Sequence, residues 1–142
     1  MAGAIPVPPL SLGTKISLDP PVILAPMAGI TSAPYRRMCA SYGASLCVSE
    51  MVSANGIIQR NAPTLKIASW DESEGLRSAQ LYGVRPELVT DAVSWLVEER
   101  GVDHIDLNFG CPVRKVTAKG GGAAVPLKPK LLARLVRAAV GA

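Results

Sequence analysis

Four residues in the run "HIDLNFGCPVRKV" could do chemistry: the amide of Asn108, the thiol of Cys111, and the cations Arg114 and Lys115. Gly110 and Pro112 flank the cysteine and mark a turn, so its thiol is expected on a loop, whereas the commonest fate of a cysteine is burial in a core. A free thiol has a pKa of about 8.5. It is therefore mostly protonated at neutral pH and can act as a general acid. Arg114 and Lys115 pull toward the thiolate, so the sequence leaves both protonation states open. Gln80, in "RSAQLYG", carries a donor and acceptors in one side chain and could meet the imide-like edge of a flat ring. Its alternative is a core glutamine bonded to backbone. The small residues of "PMAG", Pro26 to Gly29, allow the backbone close to a flat ligand such as a flavin; the alternative is a tight turn between a strand and a helix.

Other chemistries find little support. His104 is the only histidine and stands at the start of its strand, so a structural role is expected. One histidine and no paired cysteines argue against a metal site. "GGGAAV" lacks the third glycine of a dinucleotide loop, because Val125 stands there, and no strand leads directly into it. The triple glycine instead reads as a mobile loop over the active face. Cys39 and Cys47 lie in apolar runs and read as structural thiols.

These groups must be positioned by regular elements, and a strand/helix alternation repeats four times. The first strand is "VILAP", Val22 to Pro26, a continuous apolar run expected to be buried on both faces. Its helix runs from about Ala33 to Tyr42 and stops at Gly43. The second strand is "LCVSE", Leu46 to Glu50, followed by a polar, irregular stretch over 55–74 with a short helix at its start. Arg77 to Gly83 forms the third strand. Its helix opens at Pro86, carries Leu88, Val89, Ala92, Val93, Leu96 and Val97 at helical spacing, and ends at Gly101. The fourth strand is "HIDLN", His104 to Asn108, and the fourth helix starts near Pro129. Ahead of all this, "LSLGTKISL" reads as a hairpin around Gly13-Thr14 that could cover one end of a barrel.

Four βα units predict a parallel sheet. Two architectures fit: a doubly wound open sheet, or the first four units of a (β/α)8 TIM barrel, whose full length is about 250 residues. In both, chemistry sits at the carboxyl ends of the strands, where Pro26–Gly29, Gln80, Asn108 and Cys111 fall.

Composition sets outer limits. The chain has 142 residues, 49% hydrophobic, enough for one domain with a core. Aromatics are only 4%, so that core should be aliphatic. A net charge of +4 is compatible with a polyanionic partner or with an ordinary solvated surface. The three widely spaced cysteines suggest a reducing, cytoplasmic setting rather than a disulfide framework. The opening "MAGAIPVPPLSLG" has no basic n-region and is not read as a signal peptide. No apolar run approaches the roughly 20 residues of a membrane span.

Taken together, "PVILAPMAGITSAPYR", "SEM", "AQLYG" and above all "DLNFGCPVRKV" resemble the tRNA-dihydrouridine synthases, over about Leu10 to Val140. Dihydroorotate dehydrogenases carry an Asn-x-Ser-Cys-Pro version, and Gly110 favours the tRNA enzymes. The resemblance implies a βα barrel holding FMN, then a helical domain that grips tRNA, with NADPH as reductant. It implies that Pro26, Met27 and Ala28 lie along the flavin, that Gln80 bonds its ring, and that Asn108 places flavin or uracil. Cys111 would protonate C5 of uridine, and Arg114 and Lys115 would lie near the RNA. It implies a cytoplasmic protein with no membrane and no metal partner. Ser32 stands where the family usually has Asp. The second half of the barrel and the helical domain fall outside residues 1–142, so the isolated chain is expected to be inactive. The competing readings are an FMN barrel reducing a free pyrimidine and a catalytically inactive RNA-binding or folding piece.

Overall fold

The computed structural model describes residues 7–142; the reading of the extreme N-terminus as no signal peptide falls partly on residues 1–6, outside them. The described chain opens with an antiparallel hairpin, β1 (Leu10–Leu12) and β2 (Ile16–Leu18), in which Leu10 faces Leu18. Gly13 makes its turn at φ +60°, a conformation that costs glycine little. The hairpin turn shares the walls of a cleft with Asp103, His104 and Ile105, so it lies at the amino end of the last strand.

Four parallel strands follow: β3 (Ile23–Leu24), β4 (Leu46–Ser53), β5 (Arg77–Tyr82) and β6 (His104–Leu107). They lie side by side in chain order, β3-β4-β5-β6, every neighbouring pair parallel. A doubly wound sheet reverses its strand order at a switch point. No reversal occurs among the described strands.

The connecting helices are α1 (Ala33–Ser41), α2 (Ala54–Ile58), α3 (Ala62–Ile67), α4 (Pro86–Arg100), α5 (Arg114–Thr117) and α6 (Pro129–Val140). α4 begins as its sequence dictates, with Pro86 in the first turn and Glu87 beside the positive end of the helix dipole. Val89, Ala92, Val93 and Leu96 recur at helical spacing and are buried against the sheet. Gly101 closes the helix at φ +60°, and the Val102 N–H returns to the Leu96 carbonyl at 3.1 Å. α6 packs on α4 through Leu131, Leu132 and the buried Leu135. Burying one such leucine stabilises by about 1.5–3 kcal/mol.

α1 is anchored differently. Arg36, only 2% exposed, donates to both carboxylate oxygens of Glu74 at 2.6 and 2.9 Å. It also donates to the carbonyls of Thr31 and Ser69, and it lies 5.7 Å from the Trp70 ring. One guanidinium thus joins α1, the turn before it and the segment after α3. Such an ion pair tolerates burial because nearly all its donors are satisfied.

Several expectations are corrected. β3 spans two residues, and Val22 and Ile23 are 48% and 42% exposed, because no strand among the described residues covers its outer edge. β4 runs on to Ser53, with a register shift between Val48 and Met51 that accommodates "SEM" inside the strand. The polar stretch holds two helices, α2 and α3, capped by the side chains of Ser53 and Asn61. Cys47 is buried, and burial pushes its thiol pKa up; Cys39 is half-buried rather than fully inside.

Candidate active site

β5 and β6 alternate strictly. Ala79, Leu81, Ile105 and Leu107 turn to one face and join the apolar core under α4. Ser78, Gln80, His104 and Asp106 therefore share the opposite face, and the register sets Ser78 beside His104 and Gln80 beside Asp106. Each pair is hydrogen-bonded. The Ser78 hydroxyl lies 2.9 Å from His104 Nδ1, at the amino end of the strands. Gln80 Nε2 donates to Asp106 Oδ2 at 2.6 Å.

The second pair continues into the turn beyond β6. Asn108 Nδ2 donates to Gln80 Oε1 at 2.9 Å. Asn108 Oδ1 accepts the backbone N–H of Cys111 at 2.9 Å and of Gly110 at 3.3 Å. The result is a relay, Asp106–Gln80–Asn108–Cys111, from a carboxylate through two amides to the cysteine turn. Gln80, Asn108 and Cys111 are candidates by sequence, and they prove connected. Asp106 is not among the residues the sequence singles out. The alternation of His104, Asp106 and Asn108 with Ile105 and Leu107 was the available signal.

The first βα turn is fixed from two sides. Thr31 is fully buried, and its hydroxyl bonds the N–H and carbonyl of Met27, both at 3.1 Å. Glu50, projecting from β4, accepts the Gly29 N–H at 2.6 Å. Pro26, Met27 and Ala28 thus sit on a braced turn at the carboxyl end of β3.

Cys111 is half-buried, and its carbonyl accepts the Ala123 N–H at 3.0 Å. The glycine-rich segment folds back onto the cysteine turn rather than standing free as a mobile loop. Gly122 has φ +53°, and a Cβ there would lie 2.4 Å from the Cys111 carbonyl oxygen. No other residue type fits so close an approach.

A cleft of about 300 Å³ opens at this end of the sheet, and Ala28, Met51, Tyr82, Cys111, Lys115 and Val116 are among its walls. Lys115 therefore reaches it, whereas Arg114, its neighbour on α5, is exposed and absent from those walls. Pro26, Met27, Gln80 and Asn108 do not line it directly. The two amides meet it through the Cys111 turn. The cleft is mostly apolar, with Ser53, Thr64, Tyr82, one thiol and one cation also on its walls, and it could receive a flat, weakly polar ring. Among the described residues no cluster of His, Cys, Asp and Glu could hold a metal ion, and no helix is long and apolar enough to cross a membrane.

Comparison with known proteins gives this geometry a context. The family model described as dihydrouridine synthase matches residues 23–142. A "Probable tRNA-dihydrouridine synthase" from Mycobacterium tuberculosis (strain ATCC 25618 / H37Rv) is 44% identical over 144 residues, covering 96% of this chain and 37% of that protein. The "tRNA-dihydrouridine synthase B" of Vibrio parahaemolyticus is 39% identical over 121 residues, covering 85% of this chain and 37% of that protein. A "Probable tRNA-dihydrouridine synthase" from Rhodobacter capsulatus is 43% identical over 129 residues, or 90% and 40%. The chain thus spans well under half the length of these relatives.

Proposed function

The chain belongs to the dihydrouridine synthase family, and on that footing we propose that it is part of an enzyme reducing uridine in tRNA to 5,6-dihydrouridine, with FMN bound and NADPH as reductant. The observation that carries this reading is the relay itself, which ends on the backbone of a half-buried thiol at the wall of an apolar cleft. β3 to β6, in unreversed order, are read as consecutive strands of a (β/α)8 barrel. Four further strands and a helical RNA-gripping domain would complete the protein, working in the cytoplasm.

The residues present fit a flavin ring. After its bonds to Asp106 and Asn108, Gln80 keeps one N–H and one lone pair, the adjacent donor and acceptor that an imide edge requires. Ala28 and the braced turn from Pro26 leave room for a ring to lie flat against backbone. When bound, FMN supplies the hydride to C6 of the uracil. Asn108 has one N–H left to orient a carbonyl of flavin or uracil. Cys111 delivers the proton to C5. Lys115 at the cleft and Arg114 on the outer face of α5 meet the RNA phosphates. A base buried in folded RNA must leave its stack to enter such a cleft.

The test uses the native-length protein, loaded with FMN and supplied with NADPH and tRNA lacking dihydrouridine. Mass spectrometry of the digested RNA should find uridine that has gained two hydrogens. Reduction of free orotate or uracil in place of tRNA would overturn the reading and favour a free-pyrimidine enzyme.

A further inference from the structure

Within that reading, we propose that Asp106 is a positioning residue that fixes Gln80 with Oε1 toward Asn108, so that Asn108 meets its ligand as a donor only and the Cys111 turn is held in place. An amide side chain has two orientations of nearly equal shape, and its partners decide between them. A carboxylate can only accept. Gln80 must therefore turn Nε2 toward Asp106 Oδ2, 2.6 Å away, and so offers Oε1 to Asn108. Asn108 must then turn Nδ2 toward Gln80 and Oδ1 toward Cys111. The Gly110 and Cys111 N–H groups take both lone pairs of that oxygen. Nothing remains on Asn108 but one N–H. Its ligand group is accordingly an acceptor, such as a ring carbonyl or an unprotonated ring nitrogen. The Gly110 and Cys111 N–H groups hold Asn108 Oδ1 from the other end, so without Asp106 it is Gln80 that is freed: it can turn Nε2 toward Asn108 Nδ2, donor against donor, and the brace on the amide that holds the Cys111 turn is lost.

The experiment compares the native-length parent with Asp106→Ala and Asp106→Asn. The first readout is hydrogen exchange at the Cys111 amide in the flavin-free protein. The second is FMN affinity from flavin fluorescence. In Asp106→Ala, Cys111 exchange should quicken about tenfold or more, with exchange in α4 unchanged. FMN affinity should fall about tenfold, which is about 1.4 kcal/mol, the size of one net hydrogen bond. Asp106→Asn can turn its Oδ1 to Gln80 Nε2, the orientation that the Gly110 and Cys111 N–H groups select from the other end, and should stay within about threefold of the parent in both. Parent-like Cys111 exchange in Asp106→Ala overturns the proposal, and so does an Asp106→Asn variant as impaired as Asp106→Ala. If Asp106→Ala unfolds, seen as fast exchange in α4, Gln80→Leu cuts the relay at its next link and should release the Cys111 amide alone. An unchanged amide there overturns the proposal equally. A parent that binds no FMN would sink the flavin reading, while the exchange measurement still decides the role of Asp106.

Discussion

At the scale of single residues, the three thiols divide by environment. Cys111 packs no core, so Cys111→Ala in the native-length protein should keep the fold, bind FMN and accept hydride from NADPH. Single-turnover oxidation of the reduced flavin by tRNA should slow by about 10²–10⁴-fold, the usual effect of losing a positioned acid. Oxidation at the parent rate would remove Cys111 from the proton-donor role. Cys47 behaves oppositely. Burial raises its pKa, followed in weight by the neighbouring Cys39. Its folded pKa lies above the unfolded one, so its contribution to stability is complete below the ordinary thiol range and is lost as pH rises through the folded value. Urea denaturation at increasing alkaline pH should show this loss in the parent and less of it in Cys47→Ala. Gln80, Asn108 and Cys111 stood out in the sequence as two amides and a Gly-Cys-Pro turn on neighbouring βα units, and hydrogen bonds link them in the fold. Asp106 was not singled out, although its polar alternation with apolar neighbours marks a two-faced strand.

At the scale of elements, α4 and α6 were legible because Pro86, Gly101 and Pro129 punctuate them and their apolar residues repeat at helical spacing. The anchoring of α1 was not. "YRR" places two arginines side by side, and only tertiary structure decides that Arg36 is buried while Arg37 pairs with Asp71 at the surface. The two kinds of ion pair differ in worth. Glu74→Ala would strand the Arg36 guanidinium inside and should cost about 3–5 kcal/mol in chemical denaturation. Arg134 and Glu87 link α6 to α4 at 3.6 Å with both side chains largely exposed, a pair worth under about 1 kcal/mol. Lys130, Arg134 and Arg137 share this outer helix. Reversing their charges in the native-length protein should leave tRNA affinity and its salt dependence nearly unchanged; a marked drop in either would put α6 against RNA.

At the scale of the whole molecule, the four-stranded sheet has two open edges among the described residues. β3 presents Val22 and Ile23 to solvent, and β6 has a partner on one side only. Unpaired parallel edges with apolar side chains template further association. The 142-residue polypeptide expressed alone should therefore self-associate as its concentration rises, and sedimentation velocity should find species well above 14.8 kDa. A concentration-independent monomer would show the edges to be protected. Sequence periodicity could count four βα units but could not rank a barrel over a doubly wound sheet, since strand order is a long-range property with no local signature. An apolar run such as Val22–Pro26 also reads the same whether or not a neighbour covers it, and among the described residues no strand lies beyond β3.

The packing of Gly122 against the Cys111 carbonyl also bears on how this protein can drift. Three glycines in a row look interchangeable, yet their tolerance should differ sharply. Gly120 sits at φ +80° with only the flexible Lys128 amine nearby, so asparagine, which visits that conformation, should survive there. Gly121 has ordinary φ, and an added methyl would meet Val116 Cγ1 at 3.2 Å, so alanine should be admitted with a small adjustment. Gly122 combines a positive φ with a backbone atom 2.4 Å from any Cβ, and every substitution there should be purged. In a saturation library of positions 120–123 selected for tRNA reduction, the survivors should be varied at exposed Ala123 and glycine alone at 122. Alanine recovered freely at 122 would mean that the turn carrying the thiol can move aside and still work.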